Sequence, residues 1–291
     1  MFQNIPQSSI PASSTIITPT GPIKPKHVPT TPKNTWHELV VSPVSPYASA
    51  GTTITRSRAG KHEENPDFEL TVSKTPTPHS LYLPKKSDRY KKLEEIPNAI
   101  IEISPESSAY VSDFAVRIGG DKGPSSPRST SKSSITAKAV QTTFQKSQPS
   151  GAALILDYGP SDTIPANTFR GIRSHDTVSP FTAPGLVDLS ADVDFVALAE
   201  SALDASPGVE IHGPVEQSFF LSTMGIKERA ERLLKGARDD ETKKRLEAGW
   251  KRLVDMGPNG MGKTYKAMAI LPYVQGSEVR RPVGFGGDIT E

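Results

Sequence analysis

Hydrophobic positions recur along this chain in two rhythms, and long polar stretches interrupt both. "WHELVVS" (Trp36 to Ser42) predicts a strand. "FELTVSKTPTPHS" alternates Phe68, Leu70 and Val72 before Pro76 and Pro78, as suits a half-buried strand at a sheet edge. In "NAIIEISPESSAYVSDFAVRIGG" a buried strand, Ala99 to Ile103, turns at Ser104 and Pro105 into a helix. Tyr110, Phe114 and Ile118 recur at fours there, Pro105 takes the first helical position, and Gly119 and Gly120 form the stop. "GAALILDYG" holds a continuous apolar run, Ala152 to Leu156, of the kind buried on both faces of a parallel sheet, with Asp157, Tyr158 and Gly159 at its C-terminal edge. Farther on, "DVDFVALAESALDAS" sets Phe195, Leu198, Ala199 and Ala202 on one helical face behind an aspartate cap, and "VEQSFFLSTMGIKERAERLLKG" predicts more helix. Strands separated by amphipathic helices predict an α/β fold.

The polar stretches set the domain plan. Residues 1–35 are rich in Ser, Thr and Pro and predict a disordered segment, because their few apolar side chains cannot offset the entropy of ordering. Residues 36–120 and 151–275 then form two parts of one α/β domain, with a flexible insertion near 43–66, a disordered insertion at 121–150 and a tail at 276–291. Composition agrees: of 27 prolines among 291 residues, 18 fall in residues 1–150 and 9 after them, which concentrates the expected order toward the C-terminal end. A net charge of +2, from 34 basic and 32 acidic residues, gives no broad electrostatic footprint for nucleic acid or an anionic membrane. No apolar run approaches the length of a membrane span, and no presequence is visible at the N-terminus. With no cysteine and six scattered histidines, no metal site is predicted and cysteine-based catalysis is excluded.

One motif competes for attention. In "GPNGMGKTYKAMAILP", Gly257, Gly262, Lys263 and Thr264 match the spacing of a phosphate-binding P-loop. That loop works only between an entering strand and a departing helix. Here "DDETKKRLEAGWKRLVDM" places Leu246, Trp250, Leu253 and Val254 at helical steps before the glycines, and the short apolar run after them ends at Pro272 like a strand. The order is inverted, so a P-loop NTPase is the weaker reading and Lys263 is expected to add nothing to nucleotide affinity.

"GAALILDYG", "TFRGIRSH", "APGLVDLSADVDF", "VEQSFFLSTMGIKERAERLL" and "MGKTYKAMAILP", in this order, resemble the C-terminal half of the MidA-like S-adenosylmethionine-dependent methyltransferases, and "WHELVV", "SKTPTPHS" and "IIEISPES" resemble the part before it. The likeness covers the ordered sequence from Trp36 to Pro272, with insertions resembling those of fungal members. It implies the C-terminal part of a Rossmann-like methyltransferase domain, with S-adenosylmethionine as cofactor. It also implies the chemistry of the family's mitochondrial branch: a type II protein-arginine methyltransferase that symmetrically dimethylates an arginine of a complex I subunit, supporting complex I assembly. The family's glycine-rich cofactor loop has no counterpart in this sequence, which implies an N-terminally truncated domain, impaired activity and weak or no cofactor binding; no cofactor-binding residue is assigned.

In an open α/β sheet the ligand crevice lies beyond the carboxyl ends of the strands, which points to Glu102, Ser104, Asp157, Tyr158 and Gly159. A planar guanidinium pairs with carboxylates, so Glu102 and Asp157, with Tyr158 beside them, are the substrate-side catalytic candidates. Turn-capping by Asp157 and a solvent-facing Glu102 are the alternatives. Arg170 and His175 could hold a carboxylate or a partner, with a surface salt bridge the stronger reading, and Asp192 and Asp194 read as helix N-caps. A different class of function stays open: a noncatalytic interaction protein offering the polyproline-prone "TPTGPIKPKHVPTTP" to a groove.

Overall fold

The computed structural model describes residues 1–5, 34–44, 68–121, 146–276 and 281–287. The proline-rich tract Thr18 to Pro32, most of 43–66 and most of 121–150, on which the expectations of disorder rest, lie outside the described residues. The chain divides into two compact units, Met1–Ile103 with Ile164–Asp192, and Ser104–Thr163 with Val193–Glu291. Both mix strands and helices, as expected for an α/β protein.

The first unit contains β1 (Phe2–Ile5), β2 (Thr35–Pro43), β3 (Phe68–Val72) and β4 (Ile100–Ile101), an antiparallel sheet in the order β3-β2-β1-β4. The expected edge strand at Phe68 is therefore found at an edge. Short helices α1 (Pro78–Tyr82) and α2 (Asp88–Lys91) follow, each capped by a hydroxyl, Thr77 and Ser87. A second, smaller sheet has the order β7-β6-β8, from β6 (Arg170–Arg173), β7 (Asp176–Val178) and β8 (Asp188–Ser190).

The strand β1 departs from the disordered segment expected at 1–35. Its inward positions are Phe2, which is buried, and Asn4, which is fully buried and polar, so no apolar alternation marks the strand. Asn4 earns its place through its amide, which donates to the carbonyls of Leu93, Glu94 and Ile96 at 3.2, 2.8 and 2.9 Å. Those carbonyls belong to the turns that follow helix α2, and a buried NH2 group bonded in this way avoids the cost of unpaired donors, although the Asn4 side-chain oxygen is buried with no partner among the described residues.

In the second unit α3 (Pro105–Gly119), β5 (Ala153–Tyr158), α4 (Phe195–Ala205), β9 (Val209–Glu216), α5 (Gln217–Thr223), α6 (Ile226–Gly236), α7 (Asp240–Val254) and β10 (Tyr265–Pro272) form helices about a sheet of order β5-β10-β9. Both ladders are antiparallel, which corrects the parallel pairing expected of β5. One face of the sheet buries Met268 and Ile270 with Ala153 and Ile155 against Val111, Ala115 and Ile118 of α3 and Phe195, Leu198 and Ala202 of α4. The other face packs Ala267 and Ala269 on Phe220 and Phe285. Leu154 and Leu156, opposite Ala269 and Ala267, share that second face but stay 51% exposed, so β5 is an edge strand covered on one side only.

Helix α3 keeps the expected start and stop, and of its recurring positions buries Ile118 but not Tyr110 or Phe114. Ser104 caps it, Pro105 opens it and Gly120 ends it at a φ of 85°. Its buried stripe is Val111, Ala115 and Ile118, while Tyr110 and Phe114 are 69% and 42% exposed. The physical reason is tertiary: Val111, Ala115 and Ile118 share one core cluster with Leu198 and Ala202 of α4 and Met268 and Ile270 of the sheet, and Tyr110 and Phe114 fall outside it.

Candidate functional site

Glu102, just after β4 in the first unit, is held from all sides by one loop. Its backbone N–H donates to the Pro165 carbonyl at 3.0 Å. Its Oε1 accepts from the backbone N–H groups of Thr168 and Phe169 at 2.8 and 3.2 Å, and its Oε2 accepts from the Thr168 hydroxyl. The same hydroxyl oxygen accepts from the Asp192 backbone N–H at 2.9 Å. Arg170 closes the circuit, donating from Nη1 to Asp192 Oδ1 and to the Thr168 carbonyl, both at 2.8 Å. A carboxylate bonded by two amides and a hydroxyl makes charge-assisted hydrogen bonds that fix a loop. Glu102 is spent on this clamp.

Asp157 is differently placed, at the end of β5 in the second unit. Its Oδ1 accepts from the Tyr158 backbone N–H at 2.8 Å. Its strand partner is Lys266, whose buried ammonium group turns back to the Lys263 carbonyl. Tyr158 stands opposite Tyr265, and their rings meet edge to face at 5.3 Å and 85°. Gly159 then passes so close to Val193 that a Cβ there would lie 2.3 Å from the Val193 carbonyl oxygen, and Val193 N–H donates to the Tyr158 carbonyl at 3.0 Å. Only glycine lets β5 end against that segment.

The glycine-rich loop joins α7 to β10, helix first and strand second, as its flanks predict. A Cβ on Gly260 would lie 2.1 Å from the Asp255 carbonyl oxygen, and one on Gly262 would lie 2.5 Å from that of Val254. These glycines let the loop fold back on the end of its own helix and leave no open cradle for phosphates. Beside the loop is an open cleft of about 620 Å³, lined by Arg252, Pro258, Asn259, Met261, Thr264 and Tyr265.

The remaining candidates have plainer roles. Ser104 accepts from the Ser107 N–H at 3.2 Å as the cap of α3. Asp194 caps α4, accepting from Ala197 N–H at 3.1 Å, whereas Asp192 is the ion-pair partner of Arg170 and not a cap. Arg170 thus takes the salt bridge expected of it. His175 is exposed at a φ of 69° in the turn between β6 and β7. For S-adenosylmethionine, the β4–α3 and β8–α4 connections, Glu102 to Ser104 and Ala191 to Asp194, carry no glycine to cradle the cofactor, and the glycine-rich loop between α7 and β10 is packed on itself. Thr168, Arg252 and Tyr265 are not singled out by the sequence. Thr168 and Arg252 sit in ordinary polar surroundings, and only Tyr265's register opposite Tyr158 marks it.

A profile of the family described as "Putative S-adenosyl-L-methionine-dependent methyltransferase" matches residues 25–215. The chain belongs to this family. It is 42% identical over 123 residues to a rat protein named protein arginine methyltransferase NDUFAF7, mitochondrial, covering 42% of this chain and 27% of that one. The human protein of the same name is 37% identical over 133 residues, covering 45% and 29%. The chain thus spans about a quarter of the length of these curated relatives. A solved Burkholderia thailandensis protein bound to S-adenosyl-homocysteine aligns over 81% of this chain and 47% of its own, at 18% identity and a TM-score of 0.49.

Proposed function

We propose that this chain contributes the substrate side of an S-adenosylmethionine-dependent methyltransferase acting on an arginine of a protein. Its relatives' shared name supports the arginine, and the observation that carries the reading is Asp157: a carboxylate at a strand end with one oxygen held by Tyr158 N–H and, among the described residues, no hydrogen-bond partner at the other. A guanidinium is a planar fork of donors, and a carboxylate fixed at a strand end can orient it. Asp157 is preferred to Glu102 because three donors already engage the Glu102 oxygens. Tyr158 supplies the amide that sets the Asp157 rotamer and half of the aromatic pair.

The finer reading is symmetric dimethylation of an arginine in a mitochondrial complex I subunit, in support of complex I assembly, within a protein resident in the mitochondrion. The names of the relatives support the arginine and the compartment. The test is genetic: in the source organism, removing the gene should erase symmetric dimethylarginine from a complex I subunit, read by mass spectrometry of purified complex. The unaltered gene should restore the mark and Asp157→Asn should restore a tenth of it or less, a loss of about 1.4 kcal/mol or more in transition-state stabilisation. Full restoration by the variant would remove Asp157 from the site, and an unchanged mark in the deletion would remove the arginine reading altogether.

A further inference from the structure

The basic residues of α7 are not equally employed. Lys243 pairs with Asp240 at 3.2 Å and Lys251 with Glu247 at 2.6 Å. Arg252, one residue on, meets no carboxylate among the described residues, although it lines the cleft beside the glycine-rich loop. Asp255, the nearest acid in sequence, already accepts from Gly257 N–H at 2.9 Å. A guanidinium has five donors and no acceptor, so its natural complement is a carboxylate. The rest of the cleft suits one: the Asn259 amide and the Thr264 hydroxyl can donate, and Pro258 and Met261 give apolar walls for a short aliphatic stem.

The cleft also adjoins the proposed site. Tyr265 lines it and stacks edge to face on Tyr158, whose N–H holds Asp157. The tyrosine pair therefore links the wall of the cleft to the strand end that carries Asp157. We propose that the cleft at Arg252 holds an acidic side chain of the substrate polypeptide, near the arginine in its sequence, so that the enzyme selects arginines in acidic surroundings. The nearby arginine rests on the arginine reading above; the acidic specificity of the cleft does not.

The probe is a fluorescein-labelled, glycine-rich peptide with one arginine and one glutamate three residues away, titrated against the chain by anisotropy at low salt. Changing the peptide's glutamate to glutamine should weaken binding about tenfold, as for loss of a charge-assisted bidentate pair. Arg252→Glu should abolish that preference and favour a peptide with lysine in the same place, while Arg252→Lys, which keeps the charge but loses the fork, should give an intermediate preference. Arg252 is exposed at a helix end, and circular dichroism checks that each variant keeps its fold. Equal affinity for the two peptides, or a preference unchanged in Arg252→Glu, overturns the proposal. The same titration with the peptide arginine changed to glutamine separates the two readings. A glutamate preference that survives there, with no effect of Asp157→Asn on the original peptide, supports the cleft and sinks the arginine site.

Discussion

Glu102 and Asp157 are carboxylates at the ends of two strands, and sequence position treats them alike. Their surroundings do not. Glu102 receives two backbone amides and a hydroxyl from one loop, with Asp192 and Arg170 joined to the same hydrogen-bond circuit. Asp157 receives on one oxygen the amide of its own neighbour, and its carboxylate has no other hydrogen-bond partner among the described residues. A strand end brings an acid to the rim of a sheet, and the adjoining loop decides whether that acid builds structure or meets a ligand. One is a clamp and the other is a candidate contact.

The comparison breaks most readily at the clamp. Glu102→Ala leaves the Thr168 and Phe169 amides and the Thr168 hydroxyl without their acceptor, and each partly buried donor left unpaired costs about 1–3 kcal/mol. Hydrogen exchange at the Thr168 and Phe169 amides should accelerate by two orders of magnitude or more, and Glu102→Gln, which keeps one acceptor oxygen, should fall between. The equivalent change at the other strand end, Asp157→Asn, should alter stability by no more than about 0.5 kcal/mol in denaturant titration. If the two losses came out equal, the distinction between the carboxylates would collapse.

Next in size is the ion pair that closes the clamp. Arg170 and Asp192 are each about a quarter exposed, at 27% and 26%, so their pairing should exceed that of a fully solvated pair. A double-mutant cycle of Arg170→Met and Asp192→Asn is expected to give a coupling of about 1 kcal/mol, reduced when the cycle is repeated on Glu102→Gln because all three share Thr168. Strict additivity with Glu102→Gln would show that the hydrogen bonds act singly and form no network.

How much of this was legible in the sequence divides along the same line. Periodicity located β2, β3, α3, α4 and α7, and the inverted order of helix and strand around Gly257 to Thr264 disposed of the P-loop. These are local properties, and local pattern carries them. What failed depends on neighbours distant in the chain. The inward face of α3 is set by its packing on α4 and the sheet, so Ile118 is buried while Tyr110 and Phe114, which recur at fours with it, face out. An unbroken apolar run in β5 suggested two buried faces, yet Leu154 and Leu156 lie on a side that α3 and α4 do not cover. Asn4 hid a strand because its three acceptors lie about ninety residues away. Strand-end position nominates both Glu102 and Asp157, but the donors of Thr168 that engage Glu102 lie 66 residues along the chain and are invisible to spacing.

The smallest expected effect isolates the bonding pattern of the clamp from its burial. Asp239, the cap of α7, accepts from both the backbone N–H and the hydroxyl of Thr242, at 2.7 and 2.9 Å, as Glu102 does from Thr168, but in full exposure to solvent. The backbone bond from Thr242, reinforced by its hydroxyl, holds the Asp239 carboxyl below the usual carboxylate range. A lowered folded-state value means that the stabilisation is complete above the ordinary carboxylate value near 4 and is lost as pH falls through the lower, folded one. The first turn of α7 should therefore fray below about pH 4, seen as faster exchange at the Thr242 amide and a small loss of helical ellipticity. Asp239→Asn, which keeps a capping oxygen and removes the titration, should flatten that pH dependence while leaving the helix intact at neutral pH. Solvent competes for every bond at this cap, so its loss should leave global stability nearly unchanged, whereas the same two bonds at Glu102 hold a loop in place. A global destabilisation from Asp239→Asn as large as that from Glu102→Gln would mean that burial contributes nothing to the clamp.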